Sequence, residues 1–224
     1  MKLRFRYLAR ALAVWAITIL GLFAADSVYR EGQWTKLFDG KTLSGWTSPD
    51  PGEWSVDSEG VLHGRGKVSH LFSPGTYTNF EFKAEIKLAP NSNSGMYFRA
   101  RYGKGWPRGY EAQLNNSYVK DPKKTGSLYN YKNITEQLVP DDTWWTQHII
   151  AVGKRIIIKV NGKIVVDHLE EKNTHQSGHL AFQQHDPGSH VMIRNVMVKP
   201  LPSDEAAAWD IVRKETPEIK PSAQ

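Results

Sequence analysis

From Trp34 onward, short runs of alternating apolar and polar residues are separated by turn dipeptides at close intervals. Phe80-Glu-Phe-Lys-Ala-Glu-Ile-Lys-Leu88 alternates without a break, which predicts a strand with one buried face. Arg155–Asp167 reads as a hairpin. Its Asn161-Gly162 pair tolerates positive φ at both positions and so predicts a type I′ turn. Asp39-Gly40, Pro51-Gly52, Glu59-Gly60, Pro74-Gly75 and Pro187-Gly188 punctuate the rest. Many short strands at this spacing predict an all-β antiparallel sandwich or jelly roll. No helical period is evident before Asp204–Lys214, a segment expected either to form a helix or to fray. Glu215–Gln224, with two prolines, is expected to lack fixed structure.

Because side chains alternate across a strand, parity sorts them by face. In Gly95–Arg101, Met96, Phe98 and Ala100 share one face; Tyr97, Arg99 and Arg101 share the other. In Tyr110–Asn115 the apolar face holds Tyr110, Ala112 and Leu114, opposite Glu111, Gln113 and Asn115. In His179–His185, Leu180 and Phe182 lie opposite His179, Ala181, Gln183 and His185. A plain solvent face is rich in Lys, Glu, Thr and Ser. These faces instead offer planar groups with several donors and acceptors, which suit sugar hydroxyls. Parity alone leaves open whether the three strands are neighbours.

Composition and charge narrow the function. The chain has 224 residues, eight Trp and no Cys, so disulfides, thiolate metal sites and Cys nucleophiles are excluded. The net charge of +6 is concentrated at the start. Lys2, Arg4, Arg6 and Arg10 precede an apolar run, Ala11–Ala24, and a small-residue exit, as in a secretory signal peptide over residues 1–25. Without those four charges, 25 basic residues face 23 acidic ones (29 − 4 against 23), and no nucleic-acid footprint remains. The run is shorter than the roughly 20 apolar residues of a spanning helix. A periplasmic or secreted protein without a stable membrane span after cleavage is therefore expected, with an uncleaved anchor as the alternative. Residues 26–33 read as a linker, 34–202 as the folded body and 203–224 as a C-terminal tail. No His, Asp or Glu spacing forms a metal motif, and a structural calcium is not legible.

An ordered set of motifs runs through the body. Leu37-Phe38-Asp39-Gly40-Lys41-Thr42-Leu43-Ser44-Gly45-Trp46 opens it, followed by Trp54–Gly64, Asn93–Arg99, Gly109–Gln113 and Thr125–Tyr129. Gly178–Gln183, His185 and Arg194–Leu201 close it. The set resembles the 3-keto-disaccharide hydrolase domain family, formerly a domain of unknown function. The segment Gln183-Gln184-His185-Asp186-Pro187-Gly188 departs from the shorter His-Gly turn of many relatives. The resemblance implies a concanavalin-like jelly roll of two antiparallel sheets, an exported carbohydrate-active enzyme, and a 3-keto-glycoside as substrate.

A ketone at carbon 3 acidifies the proton on carbon 2. Its removal gives an enolate that expels the group on carbon 1, and water addition to the enone completes a net hydrolysis. This needs a base, a donor to the ketone oxygen and an acid for the leaving oxygen. Glu111 and His185 are the candidates for proton transfer, and Arg99 for enolate stabilisation. Glu111 could instead bind sugar or pair with Arg99. Gln113, Gln183 and Asn115 are candidates for hydroxyl binding, with Trp106 and Tyr129 at the margin of the same cleft. Of Trp144 and Trp145, one is expected to face the core; Trp34, Trp46 and Trp54 are expected in core and edge packing. Three carboxylates alternating on one strand, the mark of other jelly-roll glycosidases, are absent. A non-catalytic carbohydrate-binding module is the alternative function.

Overall fold

The computed structural model describes residues 30–221; the leader and the first half of the linker read from the sequence, residues 26–29, lie outside the described residues. Two antiparallel sheets stack face to face. The strands are β1 (Thr35–Lys36), β2 (Glu53–Val56), β3 (Leu62–Arg65), β4 (Ser69–Tyr77), β5 (Phe80–Leu88) and β6 (Asn93–Ala100). They continue with β7 (Tyr110–Asn115), β8 (Trp145–Val152), β9 (Arg155–Val160), β10 (Lys163–Leu169), β11 (Gly178–Gln184) and β12 (Val191–Pro200). The large sheet runs β10-β9-β8-β5-β12-β3-β2, with β1 also paired to β12; the small sheet runs β4-β11-β6-β7. Alternation in the sequence becomes a core between them. Phe82, Ile86, Leu88, Ile149, Ile158 and Val198 face Met96, Phe98, Ala112, Leu114, Leu180 and Phe182. Phe82 and Phe182 meet across the interface with ring centroids 5.7 Å apart.

The hairpin forms as the sequence predicts: Lys163 pairs with Val160, and Asn161 and Gly162 have φ of +49° and +79°. Trp145 enters the core. Trp144 stays on the outer surface under the Arg194 guanidinium, 4.2 Å from its ring centroid.

Asp204–Lys214 resolves into a helix, α1 (Glu205–Glu215). Asp204 caps it by accepting from Ala207 N at 2.8 Å, and Arg213 and Lys214 sit favourably at its C-terminal end. Its Ala208, Trp209 and Val212 pack on Ile150, Val152 and Ile157, on the outer side of the large sheet. The chain after it also packs, contrary to expectation. Ile219 is buried, Glu218 binds Lys159 at 2.8 Å, and Lys220 O accepts from Arg155 at 2.7 Å. Its prolines did not decide the matter, because one apolar side chain and two cationic partners on β9 give it a docking surface. Among the described residues no helix is long and apolar enough to cross a membrane.

The outer face of the small sheet positions the site. Every residue of β6 and β7 is buried, although half of those side chains are polar. Loops cover that face: the β6–β7 connection at 101–109 and the long connection 116–144 between β7 and β8. A long loop without strands of its own is a common place for function.

Candidate active site

The pairing register brings the polar faces of three strands side by side. Tyr97 lies opposite Glu111 on β7 and opposite Ala181 on β11; Gln183 lies opposite His70 on β4; Gly95 lies opposite Gln113. A cleft of about 700 Å³ opens above them. Of the residues singled out in the sequence, Glu111, Gln113, Gln183, His185, Trp106 and Tyr129 all line it.

Arg99 does not. Between Tyr97 and Ala100, β6 carries one residue more than β11 spans, since Ala181 pairs with Tyr97 but His179 with Ala100. Arg99 takes a φ of +48° within this bulge, and strict alternation ends there. Its side chain is 2% exposed. It donates to Thr78 O (Nε, 2.9 Å), Gly153 O (Nη1, 2.8 Å) and His175 O (Nη1, 3.2 Å). Burial lowers its pKa to about 10. Arg99 therefore ties three loops together and, among the described residues, pairs with no carboxylate, Glu111 included. Asn115 is also outside the cleft. Its Nδ2 donates to Asp121 O and Lys123 O, and its Oδ1 accepts from Tyr118 N. It shapes the loop that carries Asp121, a cleft residue that no periodicity could reveal.

Glu111 sits at the cleft floor. Burial pushes its pKa up to about 8; the negative Asp121 adds to this, while a hydrogen bond from Tyr97 and the charge of Lys123 oppose it. Tyr97 OH donates to Glu111 Oε2 at 2.9 Å. Gln183 Nε2 donates to Tyr97 OH at 3.2 Å and meets His70 Nε2 at 3.4 Å. With its amide turned so that the nitrogen meets acceptors, Gln113 donates to Glu111 Oε1 at 3.1 Å and Ser94 O at 3.0 Å. Gly95 is required here, because a Cβ on it would stand 2.2 Å from Glu111 Oε1. The chain His70–Gln183–Tyr97–Glu111 thus holds Oε2, and Gln113 holds Oε1, both through neutral groups.

His70 completes this chain from the neighbouring strand β4. It is fully buried, and burial lowers its pKa to about 4; nearby Asp50 opposes the shift and His185 adds to it. Its position opposite Leu71 in parity was the available sequence signal. His185 stands at the rim, where Nδ1 meets Asp186 Oδ2 at 2.8 Å. Asp186 has a lowered pKa: burial opposes the shift, and hydrogen bonds from His185, Tyr118 and Gly188 N outweigh it. An ionised Asp186 fixes the proton on Nδ1 and leaves Nε2 for a ligand. The His185 ring lies between Trp106 and Tyr118, with centroids 5.6 Å and 5.5 Å away. Trp106 is 59% exposed and forms the upper wall. Across the cleft, Tyr129 OH donates to Asp121 Oδ2 at 2.9 Å, and Lys123 Nζ lies 4.1 Å from the Tyr129 ring centroid.

Two residues that line the cleft, Asn93 and Gln183, each carry a buried side-chain oxygen, Oδ1 and Oε1, with no donor among the described residues. Such atoms are costly to bury unless water or a ligand hydroxyl donates to them. Among the described residues, no three His, Asp or Glu side chains converge as a metal cage.

Solved structures share this architecture. A candidate glycosyl hydrolase from Parabacteroides distasonis is similar at 25% identity and a TM-score of 0.66, over 75% of this chain and 94% of that one. A carbohydrate-binding module from Bacillus subtilis is similar in fold at 19% identity and a TM-score of 0.56, over 69% and 95%. A β-glucanase from Bacillus licheniformis is similar in fold at 12% identity and a TM-score of 0.55, over 76% and 98%. Among curated proteins none matches the chain. The fold is a jelly roll, and its setting is carbohydrate-active. The profile of one family, described as the 3-keto-alpha-glucoside-1,2-lyase-like domain, matches residues 33–199, well over half the sequence, and the chain belongs to that family.

Proposed function

We propose that the cleft cleaves a 3-keto-glycoside by removing the proton on carbon 2. The observation that carries this reading is Glu111: a buried carboxyl with a pKa of about 8, held by neutral hydrogen-bonding partners in a cleft. A raised pKa makes the ionised form a stronger base, which proton abstraction next to a ketone demands. Glu111 takes the proton, and the electron pair forms the enolate. The enolate collapses to a carbon 1–carbon 2 double bond and expels the oxygen on carbon 1. His185, oriented by Asp186, delivers the proton that this oxygen needs. Arg99 is engaged elsewhere, and a cleft hydroxyl or amide that serves the enolate oxygen must first release the acceptor it holds here, as Tyr129 OH would release Asp121 Oδ2. Asn93 Oδ1 and Gln183 Oε1 accept from sugar hydroxyls, and Trp106 covers a sugar face. Addition of water to the enone restores a 3-keto-sugar and makes the net reaction a hydrolysis. The leader over residues 1–25 supports action outside the cytoplasm, in the periplasm or beyond. Sequencing the N-terminus of exported protein tests this: a start near Asp26 supports cleavage, and a start at Met1 shows an anchor.

Turnover of a 3-keto-glucoside in deuterium oxide, read by NMR, tests the mechanism. The expected result is deuterium at carbon 2 of the product and no cleavage of the unoxidised parent. Equal rates on both glycosides without exchange would point to direct hydrolysis by carboxylates such as Glu111 and Asp121. Tight sugar binding without cleavage of any keto-glycoside would make the domain a binding module, the reading favoured by its likeness to the Bacillus subtilis module.

A further inference from the structure

The wall formed by Trp106 and Pro107 has two sides. One faces the cleft above Glu111. The other faces a second groove of about 330 Å³, lined by Arg101, Tyr102, Lys104 and Arg108 together with the same Trp106 and Pro107. The two cavities therefore meet at a shared ridge, and a ligand that fills the first can extend over the ridge into the second.

The chemistry of this groove differs from that of the cleft. Arg101, Lys104 and Arg108 are all exposed, and none has a carboxylate partner among the described residues. Asp50 accepts from Gly105 N at 3.2 Å, and its Oδ2 lies 4.0 Å from His70 Nδ1. The loop is pinned at its base, where Arg101 N donates to Arg108 O at 2.8 Å, so the two arginines leave it from adjacent positions. Tyr102 is 47% exposed; its ring rests edge-on against Phe72, with centroids 5.1 Å apart, and leaves a surface open to the groove. An aromatic platform beside unpaired guanidinium groups is what a sugar bearing an anionic substituent requires: the ring covers the apolar face, and the guanidinium fork holds the oxygens.

We propose that this groove is a second subsite, selective for an acidic leaving unit: the sugar joined to the oxidised one carries a carboxylate or a sulfate ester, held by Arg101 and Arg108. The inference rests on the cleft being the place where the oxidised sugar sits. It assigns a substrate class that the cleft residues, largely neutral amides and phenols, do not specify.

The test compares 3-keto-glucosides whose leaving unit is glucose, glucuronic acid or glucose 6-sulfate. At low salt, kcat/KM should favour one or both acidic units over glucose by about tenfold, and the preference should shrink as salt screens the exposed charges. Which acidic unit is preferred separates carboxylate from sulfate. Replacing Arg101 and Arg108 together (Arg101→Gln with Arg108→Gln) should abolish the preference and leave turnover of the glucose-linked substrate within about twofold. Equal turnover of all three at every salt concentration overturns the proposal and leaves the reaction intact. Calorimetry with the unoxidised disaccharides is independent of turnover. Salt-dependent binding of the glucuronide, lost in the double variant, supports the subsite even if no keto-glycoside is cleaved. Uniform binding of acidic and neutral disaccharides overturns it.

Discussion

Replacing Arg99 with Met keeps the length of the stem and removes the guanidinium, so it separates a structural role from a catalytic one. Three hydrogen bonds disappear. The bond to Gly153 O is buried, while those to Thr78 O and His175 O are only partly buried. Leaving a buried carbonyl without a donor costs about 1–3 kcal/mol, and hydrogen bonds to a charged donor are each worth about 1.5–3 kcal/mol. Water can replace the donor at the two half-open sites, so the gross loss is on the order of 5 kcal/mol rather than the full sum of three bonds. Met also avoids the desolvation that lowers the guanidinium pKa to about 10, a return on the order of 3 kcal/mol. The net expectation is a loss of about 2 kcal/mol. In urea, with a slope of about 2–3 kcal/mol per molar, the midpoint should fall by about 0.7–1 M. The folded variant should still turn over a keto-glycoside within about tenfold of the wild type, because Arg99 lies outside the cleft. An unchanged urea midpoint together with a hundredfold loss in kcat/KM would refute this and return Arg99 to the chemistry.

Glu111→Gln should lower turnover by roughly 10²–10⁴-fold while sugar affinity changes little, measured by steady-state kinetics and calorimetry on the same preparation. Because the base must be ionised, kcat/KM of the wild type should rise with pH through about 8; a profile flat across that range would remove Glu111 as the base. The same raised pKa acts on stability in the opposite sense. The folded state holds a proton that the unfolded chain releases at the ordinary carboxyl pKa, so stability should decline as pH rises from the ordinary range toward about 8, and Glu111→Gln should flatten the decline in urea titrations. Gly95→Ala places a methyl 2.2 Å from Glu111 Oε1; it should cost about 1–3 kcal/mol and reduce kcat more than it weakens binding, as read from melting and kinetics together. Asp186→Asn removes the carboxylate that orients His185; it should lower kcat and cost about 0.5–1.5 kcal/mol of stability, since the bonds from His185 and Tyr118 lose their charged acceptor at the partly exposed rim.

How much the sequence determined depends on how local the cause was. Alternation over Phe80–Leu88 and Tyr110–Asn115 fixed two strands and their faces, because a strand has a period of two wherever its neighbours lie. Asn161-Gly162 fixed a turn, because only residues tolerant of positive φ close a two-residue hairpin. Glu111, Gln113 and Gln183 were legible for the same reason: they are planar polar groups on the non-core face of regular strands. The same logic misplaced Arg99, since one extra residue in β6 ends the alternation, and a bulge is set by pairing with β11 rather than by β6 itself. It also misplaced Asn115, whose amide is used up by the loop that follows. The tertiary structure alone decided that the three polar faces adjoin, that His70 lies beside Gln183 on the next strand, and that Asp121 reaches the cleft from a loop without period. It also raised the Glu111 pKa, because that shift comes from burial under loops distant in sequence, and removing water from a carboxyl is a property of everything packed around it.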